Sequence, residues 1–278
     1  MIETQSERWG IRADHRRAEA WSTTRLQFEP KGWQIEYRDA LRRALKELEP
    51  ADGSVLHGNY ATPDHDFVDL ENVLLYNVGS GAYSHLLAEG LHLRRIRSPD
   101  DRHRLSYEMD APTPRTPESG TVLAKFSTQI GVGVAAPRSA GTWWHHLRSA
   151  VTVPHHGALH TGEFGVDIIL SGLHGGRTVA GQLKPLLDGL ISALQVHTPA
   201  PGVPNERTRS QLALLGDPDT LWDLLTDSSV AVLGGCSLVR PGKVNLIWNP
   251  SDHLCTEIVV RVSQAATPHI AATIRALS

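Results

Sequence analysis

The chain has 278 residues, 40% of them hydrophobic and 21% charged, with a formal net charge of −3. Those values exclude a disordered chain, and the near-neutral balance excludes a bulk field that would draw the chain to nucleic acid or to a membrane surface. No apolar run approaches the roughly 18 residues that a membrane-crossing helix needs, so no membrane partner is expected. The opening residues, MIETQSERWG, carry no secretory apolar core, and the 2 cysteines, Cys236 and Cys255, fall in apolar surroundings where they read as packing residues. A cytoplasmic location is therefore expected.

Residues 1–54 read as a helical N-terminal arm. In 36–48, EYRDALRRALKEL, the residues Tyr37, Leu41, Leu45 and Leu48 share one helical face, and Glu49-Pro50 closes the segment. Ahead of it Trp9, Trp21, Phe28 and Trp33 are scattered through polar sequence, which suits an arm that wraps a body or another subunit. Residues 55–197 read as a central α/β body. Strands are expected at Val73–Val78, Leu123–Ala135 and Val166–Leu170, and the Pro- and Asp-rich stretch 99–120 as a surface excursion. Segment 183–195, LKPLLDGLISALQ, places Leu183, Leu186, Leu187, Leu190, Ile191 and Leu194 on one helical face, with Pro185 suited to the first turn. Close packing is the expected reason for Gly189. After a linker over 198–206, residues 206–278 read as a helix at 217–226 capped by Asp217, followed by three strands (230–239, 243–249, 256–263) and a last helix from Thr267-Pro268. The expected fold is α+β (or α/β), with a mixed, largely antiparallel sheet, packed helices, and a C-terminal β-meander completing the same globule.

Two clusters carry candidate chemistry. The string Asp64, His65, Asp66, Asp69, Glu71, Asn72 stands just before the apolar run at Val73. In an extended segment Asp69 and Glu71 point the same way, where paired carboxylates can act as acid and base or hold a hard cation. The second cluster gathers His145, His146, His155, His156 and His160 with Glu163. Pro154, Gly157 and Gly162 argue against one helix presenting His156, His160 and Glu163 together, but a loop can still bring imidazoles to a reacting group. If the segments ahead of Val73 and Val166 enter parallel strands, both clusters share one edge of the sheet. Lys184 and Asp188 stand one helical turn apart and can pair or face a cleft. The catalytic candidates are thus Asp69, Glu71, His155, His156, His160, Lys184 and Asp188. A divalent metal fits the donor types but no fixed ligand motif favours it, and the Gly-rich segments 131–133 and 172–176 match no cofactor fingerprint.

The stretch LKPLLDGLISAL resembles the K-P-x-x-D-x-L helix of RusA-type Holliday-junction resolvases. Where that family carries its metal-binding aspartates and asparagine, this chain has Thr178, Ala180 and Gly181. The resemblance covers about a dozen residues and implies a relation of fold, not nuclease activity. The basic segment His92, Arg94, Arg95, Arg97, Arg102, His103, Arg104 is interrupted by Asp100 and Asp101 and lacks interleaved aromatics, so a solvated face is expected rather than a nucleic-acid groove. The sequence thus points to an enzyme or enzyme subunit acting on a small polar substrate at strand-end loops. The alternatives are a non-catalytic subunit that forms a homo- or hetero-oligomer through its N-terminal arm, and a degenerate resolvase-like nucleic-acid-processing protein.

Overall fold

A computed structural model of the chain describes residues 2–63, 68–112, 120–130, 139–154, 159–172, 176–200 and 204–277, with backbone alone at 176–177. In chain order the elements are β1 (Ile2–Gln5), β2 (Trp9–Ala13), β3 (Arg17–Ser22), α1 (Trp33–Lys46), β4 (Val55–Thr62), β5 (Gly90–Arg97), β6 (His103–Asp110) and β7 (Val122–Gln129). They continue as α2 (Ala140–Arg148), β8 (Val151–Thr152), β9 (Phe164–Ser171), α3 (Gly176–Ser192), β10 (Val196–His197), α4 (Glu206–Leu212) and α5 (Pro218–Thr226). The C-terminal strands are β11 (Gly235–Cys236), β12 (Val239–Pro241), β13 (Leu246–Trp248), β14 (Cys255–Ser263) and β15 (His269–Ala276). The fold is α+β with a mixed sheet. The chain divides into two compact units, one of Met1–Glu118, Phe164–Gly181 and His253–Ala266, the other of Ser119–Glu163, Gln182–Asp252 and Thr267–Ser278.

In the first unit the strands lie in the order β1-β2-β3-β6-β4-β5-β14-β9. The pairs β4/β5 and β9/β14 are parallel and the rest antiparallel. A parallel neighbour cannot be reached by a tight hairpin, so β4 and β5 are joined by the crossover 63–89, and this connection carries Asp69 and Glu71. Strand β6 alternates buried and half-exposed residues along its length, the signature of a strand with one face in the core. Helix α1 buries Tyr37, Leu41 and Leu45, with the Tyr37 ring 5.7 Å from that of Trp9. Gly90, at φ +130°, opens β5 where a Cβ would meet the Val260 carbonyl oxygen at 2.0 Å, so only glycine fits.

In the second unit β15 and β8 flank β7, both antiparallel. Short pairs β10/β11 and β12/β13 and the helices complete it. Helix α2 starts in a reciprocal capping box between Ser139 and Thr142, and α5 starts at Asp217, whose side chain accepts from the Thr220 N–H. The apolar face expected on 183–195 is buried throughout, from Leu183 to Leu194. The ring of Trp144 packs 5.1 Å from that of Trp248.

Several expectations need correction. The residues ahead of α1 are a β1-β2-β3 meander, not a helical arm, because 9–22 alternates buried and exposed positions over short runs. Val73–Val78 is not a strand: Asn72–Tyr76 is a π turn closed by the Asn77 N–H on the Asn72 carbonyl at 2.8 Å. A short apolar run has no period that separates buried strand from buried helix. The stretch 99–120 contains β6, a central strand. Pro185 lies inside α3 rather than in its first turn. Of the C-terminal meander only the β12/β13 hairpin forms as such, since β14 pairs with β5 and β9. The last segment is strand β15, with Ile270, Ala272 and Ile274 inward, and not a helix.

Candidate functional site

Strand register assembles the site in the first unit. The pairing Thr62↔Arg97 sets the end of β4 beside the end of β5, and Glu257↔Arg94 brings the start of β14 to the same place. The crossover leaving β4 and the turn entering β14 therefore meet beside Arg95. One guanidinium nitrogen of Arg95, Nη1, donates to the Val68 carbonyl at 3.5 Å and to the His253 carbonyl at 2.8 Å. That clamp fixes Asp69, which follows Val68, in the neighbourhood of His253.

Asp69 and Glu71 present carboxylate oxygens within 4.8 Å of one another. Glu71 is only 4% exposed, and Asp69 accepts a hydrogen bond from the Asn72 amide. Two carboxylates this close, one of them buried, repel each other, and a cation between them can offset that repulsion. Burial holds the His253 imidazole below its usual pKa; the Asp69 charge opposes that shift and Arg95 adds to it. The arrangement can hold a hard divalent cation on oxygen donors, and it supplies a neutral imidazole as proton acceptor.

A second charged group lies in the other unit. The ammonium of Lys184 is 3.1 Å from Asp188 and 4.0 Å from Asp252, and Asp252 is 7% exposed. Of the two arrangements open to Lys184 and Asp188, pairing with each other or facing a cleft, the pair across one turn of α3 is present. His160 is turned onto local backbone: its Nε2 donates to the Glu163 carbonyl at 2.9 Å, while its own N–H is held by Val232. His155 and His156, like Asp64, His65 and Asp66, lie outside the described residues. The argument for one pocket shared by the histidine loop and Asp69 and Glu71 rested on Val73 opening a strand, and Val73 lies in a π turn.

The basic segment is largely committed. His92 Nε2 donates to Glu257 at 2.8 Å and Arg94 stands 3.4 Å from the same carboxylate; these partners hold the Glu257 carboxyl below its usual range, with the His92 bond foremost. Arg102 covers the Trp21 ring at 4.0 Å, and Arg104 pairs with Asp100. Of the site residues, His253 escaped the sequence reading, and Arg95 was expected only as part of a solvated basic face, whereas it bonds the Val68 and His253 carbonyls. The polar turn Asn249-Pro250-Ser251-Asp252-His253 before an apolar strand is the signal that could have found His253. No family model, curated protein or solved structure matches the chain. No helix among the described residues is long and apolar enough to cross a membrane.

Proposed function

We propose that the chain is an enzyme acting on a small polar substrate at the Asp69–Glu71–His253 site, with a divalent cation held by the two carboxylates. The observation that carries this reading is the convergence of the Asp69 and Glu71 carboxylates beside a histidine kept neutral by burial. A cation held by Asp69 and Glu71 would offset their mutual repulsion and would supply Lewis acidity toward a substrate oxygen or a water, and neutral His253 would serve as the proton acceptor. Arg95 is a positioning residue, since its bonds go to backbone carbonyls rather than into the site.

The test is calorimetric titration with Mn²⁺ and Mg²⁺, alongside thermal melting. Wild-type protein should take up the ion and melt higher in its presence, because a ligand bound only by the folded state stabilises it. Asp69→Asn and Glu71→Gln should each lose most of the uptake while remaining folded. Equal uptake by wild type and both variants, or none by wild type, sinks the proposal.

The reading as a non-catalytic oligomer subunit has one observation behind it. Phe28 and Tyr76 stack at 5.3 Å and 11°, yet are 59% and 50% exposed, as suits an apolar contact. Trp9 gives no such support, since it is buried within its own unit.

A further inference from the structure

A hollow of about 420 Å³ opens on the face of the first unit's sheet. Register explains it. Gly10, Trp21, Arg104, Ala61 and Ile96 form one rung across β2, β3, β6, β4 and β5, and Arg12, Glu19, Ser106 and Asn59 form the next. The small side chains of Gly10, Ala61 and Ser106 leave the depression, and longer ones wall it. Its size falls within the range of small-molecule sites, roughly 300–1,000 Å³.

The wall is fixed in advance. Trp21 lies against Gly10, where a Cβ would come within 2.4 Å of the indole nitrogen, and Arg102 covers the ring at 4.0 Å. An immobile wall spares the ordering cost of binding. The charges alternate rather than accumulate. Arg17 pairs with Glu19 at 2.6 Å, Arg104 pairs with Asp100, and Arg12 stands opposite Glu3 on one side and Glu19 on the other. An ion of either sign would meet a like charge one rung away. Asn59 Nδ2 donates to Ser106 Oγ at 3.3 Å, and an apolar ligand would still strip water from the Asn59 amide oxygen, the Ser106 hydroxyl hydrogen and the side of the Glu19 carboxylate turned away from Arg17. What fits is an uncharged ligand whose groups both donate and accept, with a C–H surface to lay against Trp21 and Ile96.

We propose that this hollow binds an uncharged polyhydroxylated ligand of mono- or disaccharide size, independently of the carboxylate site. Asn59 and Ser106 bond its hydroxyls, with Arg12 donating and Glu19 accepting beside them. The test is saturation-transfer NMR with glucose, galactose, maltose and cellobiose, adenosine as a source of the same diol in a nucleoside, and citrate and inorganic phosphate as anions. At least one saccharide or adenosine should receive saturation, and whichever does identifies the source of the diol. Ser106→Phe, which fills the hollow from an exposed face, and Asn59→Ala should each weaken that binding by about tenfold or more, as loss of a bonding group at a desolvated site does. Melting curves confirm that both variants fold, and Mn²⁺ uptake at Asp69 and Glu71 should be unchanged. No transfer to any polyol, transfer undiminished in both variants, or binding confined to citrate and phosphate overturns the proposal.

Discussion

Burial decides the acid response of this fold one histidine at a time. His197 is 3% exposed, its ring set edge-on to Trp222 at 5.3 Å, with neither ring nitrogen meeting a hydrogen-bond partner at normal geometry. Desolvation holds it below its ordinary pKa of 6.5. Below about pH 6.5 the unfolded chain binds a proton that the folded chain refuses. The stability is therefore intact above that pH and falls as pH drops toward the folded value. His197→Phe, which keeps the edge-on contact, should flatten the pH dependence of denaturant unfolding below neutrality. An unchanged slope would mean that His197 titrates freely in the folded state. His253 is shifted in the same sense, so the variant should keep part of the slope. Asp69 and Glu71 were legible in the sequence as neighbouring carboxylates, although the extended segment expected there is a helical turn at Glu71. The bond from Arg95 to His253 was not, since it joins positions 158 residues apart and only strand pairing brings them together.

Helix α3 shows how far a periodic pattern carries and where it stops. Its apolar face was readable from spacing alone, and Leu187→Ala should destabilise by about 2–5 kcal/mol, the cost of emptying a fully packed leucine site. Its two interior glycines look alike in sequence but differ in space. A Cβ on Gly189 would meet Trp143 Cβ at 2.4 Å, the Ala140 carbonyl oxygen at 2.8 Å and the Trp144 nitrogen at 2.9 Å, two of these being backbone atoms that cannot move aside. Gly181 has nothing within 4 Å. Gly181→Ala should thus stabilise by roughly 0.5–1 kcal/mol, the usual gain of alanine over glycine in a helix, whereas Gly189→Ala should destabilise. Melting temperatures that move in the same direction would refute this account of α2 against α3. The elements that sequence misassigned share a different cause. Strand β6 hides between Asp-rich and Pro-rich flanks, β15 follows Thr267-Pro268, a pair that reads as a helix start, and the π turn at Asn72–Tyr76 is a buried apolar run with polar residues only at its ends.

At the scale of the molecule the compact units do not follow the order of the chain. The first unit takes its opening strands from residues 1–118, but β14, from His253–Ala266, lies between β5 and β9. Composition suggests a linker at 198–206, a stretch that falls inside the second unit, and nothing in composition tells that a strand beyond it returns to pair with β5, because that choice is made by register and not by local propensity. The return has a mechanical consequence. Without β14 the strand β5 loses its antiparallel partner over Gly90–Arg94, and β9 loses its parallel partner from Phe164 to Ser171. Ile258 and Val260, each 1% exposed, leave the core with it. A fragment ending at residue 250 should therefore fail to fold its first unit even though every residue of 1–118 is present. Amide exchange read by mass spectrometry should show 55–62 and 90–97 unprotected in the fragment and protected in the full chain, since exchange reports the free energy of opening segment by segment. Urea unfolding of the fragment should lose the transition that belongs to this unit. Adding the peptide 251–278 in excess should restore part of the protection if β14 pairs as described. Native-like protection of 55–62 and 90–97 in the fragment alone would show that β5 needs no partner on that side, and that the sheet is held by β4 and β6 without the returning strand.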